Sequence, residues 1–162
     1  MELCSASLFQ VIEKTYNGPP LPPDNDVMFQ MANGLYYIHS QNLVHGNIKP
    51  ENILISMDGQ MKLSEFGLRK PREEKCYISG LKGTLLWMAP ECLPSKRDET
   101  NTKRNPESDV FSCGCVYFVF LTRENGRIHP FGDIIDHLQI HVNIREGKPI
   151  NIHSMFNCDF CE

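Results

Sequence analysis

Val44-His45-Gly46-Asn47-Ile48-Lys49-Pro50-Glu51-Asn52-Ile53-Leu54-Ile55-Ser56 is the stretch whose reading decides the fold. Its first part crowds His45, Asn47, Lys49 and Asn52 into one short polar run. Its last part, Ile53–Ser56, is apolar and reads as a short strand. Met61–Ser64 reads as a second strand, and Asp58-Gly59 between them is a strong hairpin signal. Upstream, Asp24 or Asn25 is placed to cap a helix running to about Gln41. Val27, Met28, Met31, Ala32, Leu35 and Ile38 recur at intervals of three and four and form its apolar face. The methionines there read as core filler. A polar loop is thus expected between a helix and a hairpin.

That loop resembles the catalytic loop of eukaryotic protein kinases, whose pattern is H-R-D-L-K-x-x-N before a short strand. Ser64-Glu65-Phe66-Gly67 resembles the metal-binding D-F-G tripeptide, with Glu65 in place of Asp. Gly83-Thr84-Leu85-Leu86-Trp87-Met88-Ala89-Pro90-Glu91 resembles the end of an activation segment, with A-P-E intact. Three such motifs in order make a specific signal where one would be weak. The opening Met1–Leu8, Asn52–Ser56, Asp109–Val116 and His129-Pro130-Phe131-Gly132 are most similar to the inositol-requiring kinase/endoribonucleases, sensors of the unfolded-protein response.

The resemblance implies a fold that is mainly α with a short β-hairpin, a kinase-like C-lobe of α+β type. No G-x-G-x-x-G turn and no V-A-I-K-like lysine strand occurs, so the small N-lobe is expected to be missing. Residues 1–162 are read as a partial kinase-like domain, from about helix D to helix G, with no ribonuclease domain.

Phosphoryl transfer relies on positioning, on charge neutralisation by metal, and on accepting the hydroxyl proton. By resemblance the last task falls to the position of Asn47. An amide is nearly isosteric with a carboxylate and can orient a hydroxyl, but it has no useful basicity. General-base help contributes about 10²–10⁴-fold, so efficient transfer is not expected. Gly46 replaces an arginine that in many kinases clamps a phosphorylated activation loop. Tyr77, Ser79 and Thr84 remain modifiable, but Gly46 gives a phosphate no donor.

Lys49 matches the lysine that contacts the transferred phosphate, and Asn52 matches the asparagine that holds one magnesium. Glu65 keeps a carboxylate at the other metal position, one methylene longer, which weakens or shifts binding by an ion that demands short octahedral contacts. ATP and magnesium are therefore the implied cofactors, with nucleotide binding in doubt without the N-lobe. Phe66, Gly67 and Thr84 belong to the activation segment, Thr84 at a position that touches the catalytic loop. His45, Glu91 and Asp109 are implied to be structural: His45 packs and hydrogen-bonds within its motif. Glu91 is a buried ion-pair partner whose usual arginine lies past residue 162. Asp109 begins the central helix and braces the loop backbone.

Elsewhere, Leu3, Leu8, Val11 and Ile12 share one face of a helix expected over 3–14, capped by Ser5 or Ser7. Gly18–Pro23 is an extended connection. Residues 68–82 and 94–107 are polar, charged loops. Ser108 is expected to cap a helix from Asp109 to about Thr122, with Cys113 and Cys115 as buried small residues. Gly126–Gly132 reads as a turn. Residues 133–146 read as a helix with Ile134, Ile135, Leu138, Ile140 and Val142 on its apolar face. Cys158-Asp159-Phe160-Cys161, even with His153, falls short of the four ligands of structural zinc.

A net charge of −4 gives no footprint for nucleic acid, and no apolar run is long enough to span a membrane. Seven cysteines without regular spacing point to a reducing compartment. The expected setting is cytoplasmic; the resemblance implies the cytosolic side of an endoplasmic-reticulum membrane protein. The expected role is a catalytically impaired, nucleotide-responsive or scaffolding module that binds a protein partner or forms a kinase-type dimer. The alternatives are an active Ser/Thr kinase represented by an incomplete chain, and a truncated gene model without independent function.

Overall fold

The computed structural model describes residues 3–65, 85–93, 104–126 and 128–155, with residues 154 and 155 described by their backbone alone. The expectations for Phe66, Gly67, Thr84, the loop 68–82 and the Cys158–Cys161 pair lie outside the described residues.

The hairpin forms where Asp58-Gly59 announces it. Strands β2 (Ile53–Ser56) and β3 (Met61–Leu63) are antiparallel, with Leu54 opposite Lys62 and Ile55 opposite Met61. Gly59 takes φ +81°, and its N–H donates to the Ser56 carbonyl at 3.0 Å. A third strand, β1 (Cys4–Ser7), pairs antiparallel with the other edge of β2, with an irregularity between Cys4 and Ala6. This corrects the helix expected over 3–14. Helix α1 covers only Leu8–Ile12, because residues 4–7 satisfy their backbone groups on β2 instead. Ser7 caps α1 through a capping box with Gln10, whose side chain accepts from the Ser7 N–H at 2.9 Å.

Helix α2 (Asp24–Ser40) follows the Pro-rich connection. Its N-cap is Pro23; Asp24 and Asp26 lie inside the first turn, where carboxylates favour the positive end of the helix dipole. Val27, Met31, Leu35 and Ile38 are buried as their spacing requires, while Ala32 lies exposed. Gln30 accepts from the Met61 N–H at 2.8 Å and ties α2 to β3.

The central helix, α3 (Pro106–Leu121), begins three residues earlier than expected. Asn105 is the cap: its side chain accepts from Ser108 N–H at 2.8 Å, and Ser108 Oγ accepts from Asn105 N–H at 3.2 Å. Proline at the first helical position suits that start. Cys113, Cys115, Val116, Val119 and Phe120 are buried, and burial pushes the Cys115 thiol up to about 12. The end of α3 is fastened to the start of α2. Arg123 donates twice to Asp24, at 2.8 and 2.9 Å, and its guanidinium stacks 4.2 Å from the Phe120 ring centre.

Ile128–His129 (β4) and Gly132–Asp133 (β5) form a two-stranded ladder inside the expected turn. Helix α4 (His137–Glu146) therefore starts four residues late, capped by Asp136, which accepts from Gln139 N–H at 3.0 Å. The apolar face assigned to it is also corrected. Ile140 and Ile144 are buried, but Ile135 and Leu138 are each 81% exposed and Val142 faces solvent. Positions 138 and 142 lie on the side of an α-helix opposite 140 and 144, so the sequence list merged two faces. No helix among the described residues is long and apolar enough to cross a membrane.

The core is continuous, joining α1, the sheet, α2 and α3 through Leu8, Ile53, Ile55, Met31, Val116 and Phe120. Phe120 is fully buried. Phe120→Ala is expected to cost about 3–5 kcal/mol, read as a lower midpoint in urea unfolding with an unchanged slope.

Candidate active site

The polar loop is held at both ends by regular structure. Helix α2 closes on Asn42 in a left-handed conformation (φ +57°), and Leu43 N–H donates back to Ile38 at 3.2 Å. At the other end, Pro50–Asn52 form a single 3₁₀ turn that leads directly into β2. Between them Ile48 is 3% exposed and anchors the loop in the core.

Asp109 fixes the loop's shape. It lies in the first turn of α3, 1% exposed. One carboxylate oxygen accepts from Gly46 N–H at 2.7 Å. The other accepts from His45 N–H at 2.8 Å and meets His39 Nε2 at 2.9 Å. A buried carboxylate is tolerated only with such a set of donors. His45 is itself buried, and desolvation lowers its pKa, partly offset by the charge of Asp109. Its Nδ1 accepts from Asn47 N–H at 3.3 Å, which assigns the neutral ring's proton to Nε2.

Hydrogen bonds to backbone carbonyls then bring the predicted site residues together. Asn52, 5% exposed, donates from Nδ2 to the Asn47 carbonyl at 2.8 Å. The Asn52 carbonyl accepts from Ser64 N–H at 2.9 Å and from Ser64 Oγ at 3.0 Å. Ser64 thereby delivers Glu65 beside Asn52. Glu65 is exposed and adopts φ +57°, a conformation that costs a non-glycine residue about 1–2 kcal/mol. The Asn47 amide oxygen is buried without a hydrogen-bond partner among the described residues. Lys49 is half-buried at the entry to the 3₁₀ turn.

Glu91 sits in the Pro90–Cys92 turn, exposed rather than buried and without an ion pair among the described residues. The turn is held instead by its buried apolar neighbours Ala89, Cys92 and Leu93. Ser112 Oγ donates to the Trp87 carbonyl at 2.6 Å and so ties this segment to α3. Sequence reading quoted Ser64 and Ser112 only within motifs and gave neither a role. His129 was quoted only within a motif, yet it is fully buried with its ring 5.6 Å from that of Trp87. Burial lowers its pKa to about 4, and the Leu86 carbonyl only partly offsets this.

A mostly apolar cavity of about 140 Å³ lies between α1, Pro50-Glu51, Leu86-Trp87 and Val119. Asn47, Lys49, Asn52 and Glu65 do not line it.

The comparisons with known proteins agree with this arrangement. A protein kinase domain model matches residues 1–157. The chain belongs to the protein kinase domain family. It is 37% identical to the human serine/threonine-protein kinase/endoribonuclease IRE2, over 94% of this chain and 16% of that protein. It is 35% identical to the Hypocrea jecorina serine/threonine-protein kinase/endoribonuclease IRE1, over 91% of this chain and 15% of that protein. With Arabidopsis thaliana mitogen-activated protein kinase 3 it shares 33% identity over 60% of its length and 25% of the relative's. The chain thus spans about one sixth of the kinase/endoribonucleases it matches.

Kinase domains as a class use ATP and magnesium. The donor chemistry fits the metal, since an amide oxygen of Asn52 and the Glu65 carboxylate are the hard oxygen ligands magnesium takes. No cluster of three or more His, Cys, Asp or Glu side chains among the described residues could hold a metal ion. Asn52 and Glu65 would hold an ion that keeps water and phosphate oxygens in its other positions. When bound, the ion would supply charge neutralisation on those oxygens.

Two outcomes follow. Asp109→Ala leaves the His45 and Gly46 N–H groups without their acceptor. It is expected to cost about 3 kcal/mol, with faster hydrogen exchange at amides 45 and 46 than at the β2–β3 ladder. His129 has a folded pKa below the ordinary imidazole value of 6.5, so the unfolded chain binds the extra proton. Its contribution is full above about pH 6.5 and is lost as pH falls towards about 4. The loss is about 3 kcal/mol, and His129→Phe should flatten the acid side of a stability–pH curve.

Proposed function

We propose that this chain is a serine/threonine-kinase-like module of the unfolded-protein-response sensor type, impaired in phosphotransfer, that responds to nucleotide or scaffolds a protein partner. The reading rests on Asn47, whose amide stands where the kinase pattern places the carboxylate that receives the hydroxyl proton. An amide can accept a hydrogen bond from a substrate hydroxyl and orient it. It cannot carry the proton away, which forfeits about 3–5 kcal/mol of barrier lowering. The remaining parts favour retained nucleotide contact. Lys49 keeps the phosphate position, and Asn52 and Glu65 are joined through Ser64.

The partner in this reading is a protein, through docking or a kinase-type dimer. Large side chains on the outer faces, such as Phe29, Tyr36, Ile135 and Leu138, suit such contact better than they suit solvent. The setting is the cytosolic side of the membrane. A second reading, an active ATP-dependent Ser/Thr kinase that needs more of its domain than these residues, draws support from Lys49 and Asn52 matching their motif.

One pair of measurements separates the two. Titration with an ATP analogue should show binding that strengthens with magnesium and weakens in Asn52→Ala. Transfer from labelled ATP should be absent, and Asn47→Asp should restore almost nothing in this chain but more in a longer chain carrying a complete N-lobe. Robust phosphorylation by the unaltered chain would overturn the impaired reading.

A further inference from the structure

We propose that Arg104 is a positioning residue for the candidate catalytic loop, its side chain lying across Gly46 in the space where a residue-46 side chain would begin. Gly46 adopts φ +67°, a region L side chains rarely enter. A Cβ built on it would lie 2.7 Å from Arg104 Cδ, closer than real Cβ contacts allow, and 3.2 Å from Nη1, a tight contact. The Gly46 N–H is meanwhile held by Asp109 at 2.7 Å.

Both clamps come from one short run of chain. Arg104 immediately precedes Asn105, the cap of α3, and Asp109 lies in the first turn of that helix. The reciprocal bonds between Asn105 and Ser108 fix the backbone between them. The start of α3 therefore grips residue 46 by its N–H on one side and by the Arg104 stem on the other. A loop whose motif position 46 has lost its arginine thus regains a guanidinium-bearing side chain from a distant part of the sequence. Gly46 and Arg104 are one interlocked pair, and the contact is made by the arginine's aliphatic stem.

A double-mutant cycle tests this on the full chain. Gly46→Ala is expected to lower Tm by about 3–6 °C. In the Arg104→Ala background the drop should shrink to about half, since backbone strain remains but the collision is gone. In Arg104→Met, which keeps a stem and drops the charge, the drop should stay full. Strict additivity of Gly46→Ala and Arg104→Ala would overturn the proposal. If Gly46→Ala does not fold, recovery of folding in the double variant is the expected rescue, and failure in both overturns it.

Magnesium-nucleotide titration separates positioning from mere stability. Arg104→Ala should weaken binding about threefold or more while Arg104→Met stays near the parent, and loss in both would overturn the stem contact. This second readout rests on the functional reading above. If the unaltered chain binds no nucleotide, that reading fails while the thermal cycle still decides the Gly46–Arg104 pairing.

Discussion

The carboxylate of Asp109 is the interaction on which the rest of the site depends. Removed from water at the start of α3, it is satisfied by two backbone N–H groups of the loop and by His39. Such an anion would be costly with fewer donors, so the loop and the helix fix one another. His39 comes from the end of α2, His45 and Gly46 from the loop, and Asp109 from α3. Three separate pieces of chain therefore converge on one carboxylate.

From that anchor the geometry spreads by short backbone links. Asn47 follows Gly46 and is tied to Asn52 through its carbonyl, and Asn52 is tied to Ser64 through its own. The β2–β3 ladder carries the same register, pairing Ile53 with Leu63 just beyond these contacts. The site is accordingly assembled by main-chain groups held by the side chains of Asp109, Asn52 and Ser64, so residues such as Gly46, Asn47 and Glu65 can differ without dismantling it. Gly46, Asn47 and Glu65 all differ from the kinase pattern, yet the loop remains held by Asp109 and Ile48.

Most of this frame was legible in the sequence wherever the signal is local. Helix α2 follows from a clean three-and-four spacing, and the hairpin follows from Asp58-Gly59 between two apolar runs. The order of the motifs gave the fold class and the family. What escaped depends on contacts far along the chain. Strand β1 exists because β2, some fifty residues on, offers it an edge. Helix α4 carries apolar residues on two sides, so periodicity alone could not say which side is buried. The start of α3 is set by an exchange between Asn105 and Ser108 that reads equally well one turn later. Among the site residues, the grouping of Asn47, Asn52 and Glu65 was implied by motif. The exposure of Glu91 and the overlap of Arg104 with Gly46 depend on tertiary packing that no motif encodes.

The separation between frame and chemistry bears on how an altered kinase domain persists. The base contributes only to the transition state, so exchanging it for an amide costs the fold nothing obvious: an asparagine keeps the volume and the hydrogen-bonding arms. Glu65, at the position that the kinase pattern gives to an Asp, is exposed among the described residues, so one more methylene is accommodated there. The anchoring carboxylate has no such freedom. At Asp109 a neutral amide would turn one acceptor oxygen into a donor facing a backbone N–H, and both partners would be left unsatisfied in the core. Substitution can therefore accumulate on the face that meets substrate while the residue behind the loop stays an acid. A chain with asparagine at position 47 and an acid at position 109 keeps the shape of the loop whatever the chemistry at its surface.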